Sequence, residues 1–207
     1  MPTPPRSRKA KATYGSLVDA ARDSVKRAGI LLPEAVAEAA GVSPATLYTY
    51  FSSKDALLAA AFDAAQGELG ETLIAVLNIE RLLEEGLESV SRRLVRAVIR
   101  RLSQDARVFR LALARLPESP ELTEAYRRRD DEQLATIGRF IKLGQAANKV
   151  RDGNGSALSR ALVVQLHALA DPMVLNSAAG PVVEEIGRVV FELLSPPRST
   201  FDSPPFS

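Results

Sequence analysis

Residues 34–51, EAVAEAAGVSPATLYTYF, constrain this chain more than any other stretch. They predict two short helices joined by a tight glycine turn. Val36 and Ala40 lie four apart and would face inward from the first helix. Leu47 and Phe51 repeat that spacing in the second. Ala37 is small enough for the helices to approach closely. Gly41 can take the left-handed conformation that ends a helix. Ser43 then stands where an N-cap belongs, with Pro44 at the first helical position. With the inward positions assigned, Ala45, Thr46 and Thr49 point outward, flanked by Tyr48 and Tyr50. A short helix with small, hydroxylated outer side chains is the shape of a helix-turn-helix element that enters a major groove.

The longer run AAGVSPATLYTYFSSKDALLAAAF, residues 39–62, resembles the hallmark of the TetR family of transcriptional regulators. Its elements here are Gly41-Val42-Ser43, Tyr48-Thr49-Tyr50-Phe51 and Ser53-Lys54-Asp55. The preceding LVDAARDSVKRAG, residues 17–29, looks like the family's first helix. The resemblance covers about the first third of the chain; the rest matches only in length and helical character. Two departures stand out. The connection from Gly29 to Pro33 is short and lacks a hydroxylated cap, which removes the phosphate contact usual at that helix start. Tyr50 stands where the family commonly has histidine, and its hydroxyl can still donate to a phosphate. The resemblance implies a dimer joined through its final helices, with a ligand-sensing domain behind the DNA-binding one.

The 207 residues are 46 % hydrophobic, enough to bury a sizeable core. The formal net charge is only +2, which argues against a general polyanion binder. Basic residues nevertheless crowd the start. Arg6, Arg8, Lys9, Lys11, Arg22, Lys26 and Arg27 are opposed there only by Asp19 and Asp23, as suits a phosphate-facing end. Cysteine is absent, which excludes disulfides and thiolate chemistry. No secretory signal is apparent at the start. The apolar stretch 161–183 contains Gln165, His167, Asp171-Pro172 and Gly180-Pro181, so it reads as a buried interface helix and not a membrane span. A cytoplasmic protein without membrane association is expected.

The fold class expected is all-α: a three-helix DNA-binding domain followed by a helical ligand-binding and dimerisation domain, about nine helices in total. Residues 1–13 are read as a disordered basic arm, 14–53 as the DNA-binding domain (motif about 32–51), 54–194 as the second domain and 195–207 as a disordered tail. The first helix is placed at about 14–28, with Leu17, Ala21, Val25 and Ala28 on one face. A fourth helix runs from Lys54 toward Leu77, loosened near Gly67 and Gly70. A long helix carries the stripe Leu83, Leu87, Val90, Leu94, Val98 and Leu102. Further helices are placed at about 105–116, 121–148, 156–177 and 181–194.

Ala45, Thr46 and Thr49 are the candidates for base contact. Ser43, Pro44, Tyr48, Tyr50 and Lys54 complete the expected DNA surface, chiefly toward phosphates. The apolar residues Leu162, Leu166, Leu169, Val182, Ile186, Val189, Val190 and Leu193 are assigned to dimerisation, closing a bundle with a second copy. For a small-molecule effector no pocket is identifiable; His167, Arg110 and Arg115 are weak candidates, each with an ordinary core or surface role as its alternative. No cofactor or metal is expected. The expected function is sequence-specific binding of a near-palindromic double-stranded operator by a repressor that an effector releases. The alternatives are a constitutive DNA-binding protein and, remotely, an all-helical enzyme, for which one histidine and adjacent surface carboxylates such as Glu84-Glu85 offer little.

Overall fold

The computed structural model describes residues 7–177 and 180–197. Among the described residues ten helices follow one another: α1 (Arg8–Ala28), α2 (Pro33–Ala39), α3 (Pro44–Tyr50), α4 (Lys54–Val76), α5 (Ile79–Gln104), α6 (Ala106–Arg115), α7 (Pro120–Ala146), α8 (Gly155–Ala168), α9 (Pro172–Ser177) and α10 (Pro181–Leu194). There is no strand among the described residues, and no helix is long and apolar enough to cross a membrane.

Helices α1 to α3 form a small cluster whose core is Leu17, Val18, Ala21, Val25, Val36, Ala37, Leu47 and Phe51, all buried. Tyr14 lays its ring 5.1 Å from that of Phe51, tying α1 to the end of α3. Several expectations change here. The first helix starts at Arg8, six residues early, because Ser7 caps it by accepting from Ala10 N–H at 3.2 Å. The part of the expected arm from Arg8 to Thr13 is therefore helical, and residues 1–6 lie outside the described residues. Ala28 is exposed at the last turn, so the inward face ends at Val25.

The body is built on α4, which packs along α7 and α5, with α10 laid against α5 and α8 against α7. Ser53 caps α4 through Ala56 N–H at 2.9 Å, and the helix continues unbroken past Gly67 and Gly70. Phe62 stands at its centre, edge-on to Phe109 at 5.7 Å and stacked with Tyr126 at 6.5 Å. Aromatic pairs in these geometries add roughly 0.5–1.5 kcal/mol beyond the area they bury.

Two helices depart from the expected pattern. Gly86 has φ 80° and ψ 163°, which breaks α5 after its second turn. The break shifts the phase of the apolar stripe, so Leu82 is buried and Leu83 is 54 % exposed. From Leu87 onward the expected stripe holds. The predicted helix 156–177 is divided into α8 and α9 at Leu169–Asp171. Pro172 cannot donate to a continuing helix, and Asp171 Oδ1 instead accepts from Met173 N–H at 2.7 Å. The tail from 198 lies outside the described residues.

Candidate nucleic-acid interface and inner cavity

Local rules of helix termination shape the motif. After α2, Gly41 N–H donates to Glu38 O and Val42 N–H to Ala37 O, each at 3.0 Å. Gly41 sits at φ 68°, the left-handed residue this closure requires. A methyl group there would meet nothing within 4 Å. The demand for glycine is thus conformational, worth about 1–2 kcal/mol for an L residue. Ser43 opens α3 by accepting from Thr46 N–H at 3.1 Å, and Pro44 supplies the first turn. Leu32 occupies the N-cap of α2 and makes no side-chain cap, as the short Gly29–Pro33 connection predicts.

On α3, Leu47 is buried while Pro44, Ala45, Tyr48 and Thr49 are exposed. Thr46 and Tyr50 are half-buried. Both threonine hydroxyls have internal partners. Thr46 Oγ1 lies 2.9 Å from Ser43 Oγ, and Thr49 Oγ1 donates to Thr46 O at 2.6 Å. The α3 surface offers mainly methyl groups and the Tyr48 ring until those hydroxyls rotate. Charge flanks α3. Lys54 is exposed at the first position of α4, and Arg8, Lys9 and Lys11 are exposed at the start of α1. The Tyr14–Phe51 contact brings that end of α1 to the C-terminal side of α3.

Arg22 and Arg107 fasten α1 to the body, and Arg115 braces the body beside it. Asp105, wholly buried at the α5–α6 corner, receives Arg22 Nη2 at 2.9 Å, Lys26 Nζ at 2.9 Å and the guanidinium of Arg101. Glu68 joins Arg22 at 2.5 Å and Arg101 at 2.8 Å. Burial opposes ionisation of Asp105. The hydrogen bonds from Arg22 and Lys26 prevail, and its carboxyl is held below the usual carboxylate range. From α6, Arg107 Nη1 donates to the last carbonyls of α1, Lys26 O at 2.9 Å and Arg27 O at 2.6 Å. Arg115, at the other end of α6, grips both oxygens of Asp55 at 2.8 Å. Arg115 is thereby a strut between α6 and α4 and does not line the inner cavity. Arg110 is exposed and likewise does not line the cavity.

Behind the strut lies an inner cavity of 80 Å³ between α4 and α8. Its apolar wall comprises Leu69 and Leu73 of α4, Val98 and Leu102 of α5, Phe109 and Leu113 of α6, Leu166 of α8 and Ala170 just beyond it. Gln66, Tyr126, Gln133 and His167 complete the lining. Gln133 Nε2 donates to Gln66 Oε1 at 2.9 Å, and Tyr126 Oη lies 3.2 Å from His167 Nδ1. Burial pushes the pKa of His167 down, against the opposing field of Asp130. Of the three ligand candidates read from sequence, His167 alone meets the cavity. Gln66 and Gln133 were missed because residues 67 positions apart carry no joint signal in a single sequence.

The apolar residues assigned to dimerisation divide sharply. Leu162, Leu166, Leu169 and Val190 are buried inside the subunit and unavailable to a partner. Val182 and Val189 are 38 % and 41 % exposed, with Ile186 and Leu193 half-buried beside them on α10. On α8 Val164 is 57 % exposed, with Arg160, Gln165 and Ala168 also exposed and Ala161 half-buried.

Residues 17–61, which span α1 from Leu17, the whole motif and the start of α4, match the family of bacterial regulatory proteins named tetR. The N-terminal domain is a TetR-family domain. The rest of the chain follows the same architecture in solved structures. A protein of Mesorhizobium loti MAFF303099 assigned to the TetR-family transcriptional regulators superposes with TM-score 0.72 at 18 % identity, over 91 % of this chain and 95 % of its own. A TetR transcription regulator of Haloarcula marismortui ATCC 43049 gives 0.70 at 15 % identity, over 88 % and 96 %. The fatty acid degradation regulator FadR of Bacillus halodurans gives 0.64 at 18 % identity, over 92 % and 96 %. At these identities the likeness is one of fold: the whole chain has the fold of TetR-family regulators. No curated protein matches it.

Proposed function

We propose that the chain is a sequence-specific DNA-binding transcriptional regulator that acts as a homodimer in the cytoplasm and represses until a small molecule releases it. The observation that carries this reading is the capped, glycine-closed motif itself, with Ala45, Tyr48 and Thr49 exposed on α3 and Thr46 half-buried beside them. A major groove accepts such a helix, and methyl groups of alanine and threonine suit contact with thymine methyls. Ser43, Pro44, Tyr48, Tyr50 and Lys54, with the basic start of α1, would meet phosphates and set the register.

Dimerisation is supported by the outward apolar residues of α8 and α10. Those two helices touch, Val164 is exposed on α8, and Val182, Ile186 and Val189 recur at helical spacing on α10. Joining two such surfaces makes a four-helix interface, and two recognition helices then meet two half-sites of a near-palindrome.

Effector release is supported by the position of α6. One face supplies Phe109 and Leu113 to the cavity, while Arg107 and Arg115 hold α1 and α4. A guest that fits one placement of α6 better than another biases the separation of the recognition helices by the difference in its affinity for the two.

Selection of bound duplexes from a random pool, with the full-length protein at near-physiological salt, tests the reading. Enrichment of one near-palindromic sequence is expected. Weak binding alone, without enrichment and abolished by salt, would overturn sequence-specific recognition.

A further inference from the structure

The lining of the inner cavity carries no charged side chain. Cations that could have served it are engaged elsewhere. Arg115 is held by Asp55, and Arg160, whose field reaches His167, is held by Asp130 at 2.7 Å. Because Asp130 and Arg160 pair with each other, their fields at the His167 ring oppose. An ion entering this wall would lose its hydration and find no counter-charge.

The polar groups that do line it are neutral. The Gln66–Gln133 bond joins α4 to α7 and uses one N–H and one oxygen. Two primary amides together carry four N–H donors and two carbonyl acceptors, so most of the pair's capacity is left for a guest. Gln66 and Gln133 are nearly wholly buried, at 4 % and 5 % exposure. A polar group that enters beside them exchanges water for amide partners at little loss.

We propose that the cavity selects an uncharged guest: a small apolar body bearing one head group that both donates and accepts, such as a primary amide. The head sits at Gln66 and Gln133, with Tyr126 and His167 beside it, and the body lies among Leu69, Leu73 and Phe109. This assignment rests on reading the cavity as the effector site. At 80 Å³ the cavity is smaller than the roughly 150 Å³ that admits benzene in an apolar site. A single-ring guest therefore requires the wall to give. Leu113, at the rim and 40 % exposed, can swing outward into solvent.

Benzamide, benzoate and benzamidinium share one shape and differ in charge, and calorimetric titration of each into the full-length protein without DNA tests the proposal. Benzamide is expected to bind at least about tenfold more tightly than either ion. Gln133→Leu, which keeps the bulk and removes the amide, should erase most of that preference, and Gln66→Leu provides the same comparison should the first variant not fold. Equal or tighter binding of either ion, no binding of any of the three at millimolar concentration, or an unchanged preference in the folded variant would overturn it. Operator affinity is measured separately with benzamide present. Binding without any change in operator affinity would leave the guest class standing and overturn the effector reading alone.

Discussion

The guanidinium of Arg22 reaches across 83 residues of sequence to both carboxylate oxygens of Asp105, at 3.4 Å and 2.9 Å. Asp105 is fully buried and also holds Lys26 and Arg101. One carboxylate thus anchors α1 to the α5–α6 corner. Asp105→Asn should destabilise the fold by about 3 kcal/mol, the low end for a buried pair that loses one partner, since Glu68 remains with Arg22 and Arg101. Urea denaturation measures this. The sign of the pH effect follows from a carboxyl pKa held low in the fold: the stabilisation is present above the unfolded value near about 4 and is lost as pH falls through the lower folded value. The variant should show a shallower acid limb, the remainder coming from Asp55, Asp63 and Glu68, which are also held low.

On DNA, Thr46 and Lys54 should behave differently. Thr46→Ala should cost roughly 1–3 kcal/mol, concentrated at one base pair. Lys54→Ala should weaken all sequences alike and reduce the salt slope by about one. Titrations against the selected operator and single-base variants, at two salt concentrations, separate them. A uniform loss for Thr46→Ala would remove it from base reading.

His167 is kept neutral by burial, with its folded pKa below the ordinary value of 6.5. Its contribution is therefore complete above 6.5 and declines as pH falls below that toward the folded value. Thermal melts between about pH 7.5 and 5 should show a falling midpoint in the wild type. His167→Gln should flatten that trend; an unchanged slope would assign it to other groups.

Val189→Arg and Leu162→Ala discriminate surface from core. The first places a charge on the outward side of α10 and should halve the mass seen by light scattering while the monomer stays folded. The second empties a buried position and should cost about 2–5 kcal/mol of stability. Loss of folding in both, with no monomer from the first, would contradict the proposed interface.

Sequence reasoning served best where structure is decided locally. Gly41, Ser43 and Pro44 act through bonds three to five residues long, so the motif was readable residue by residue. The phase of α5 was misread because the stripe from Leu83 assumed a continuous helix, and Gly86 interrupts it. On α8 the difficulty was different. A helix apolar nearly all round does not declare which side meets its own subunit, and the choice of Leu162, Leu166 and Leu169 took the inner side. Arg115 was legible as a cation but not as the partner of Asp55, 60 residues away. The cavity depends wholly on such distant meetings.

Arg107 has an implication for modularity. The final carbonyls of α1, at Lys26 and Arg27, are closed by a side chain from α6. The N-terminal domain therefore borrows part of its boundary from the body. Grafted onto another regulator's body, it would hand those carbonyls to water, unless the recipient supplied a donor at the same place. Its orientation would then lose one of the contacts that set it, and chimeras that keep residues 8–53 without α6 would inherit the α3 surface but only part of its alignment.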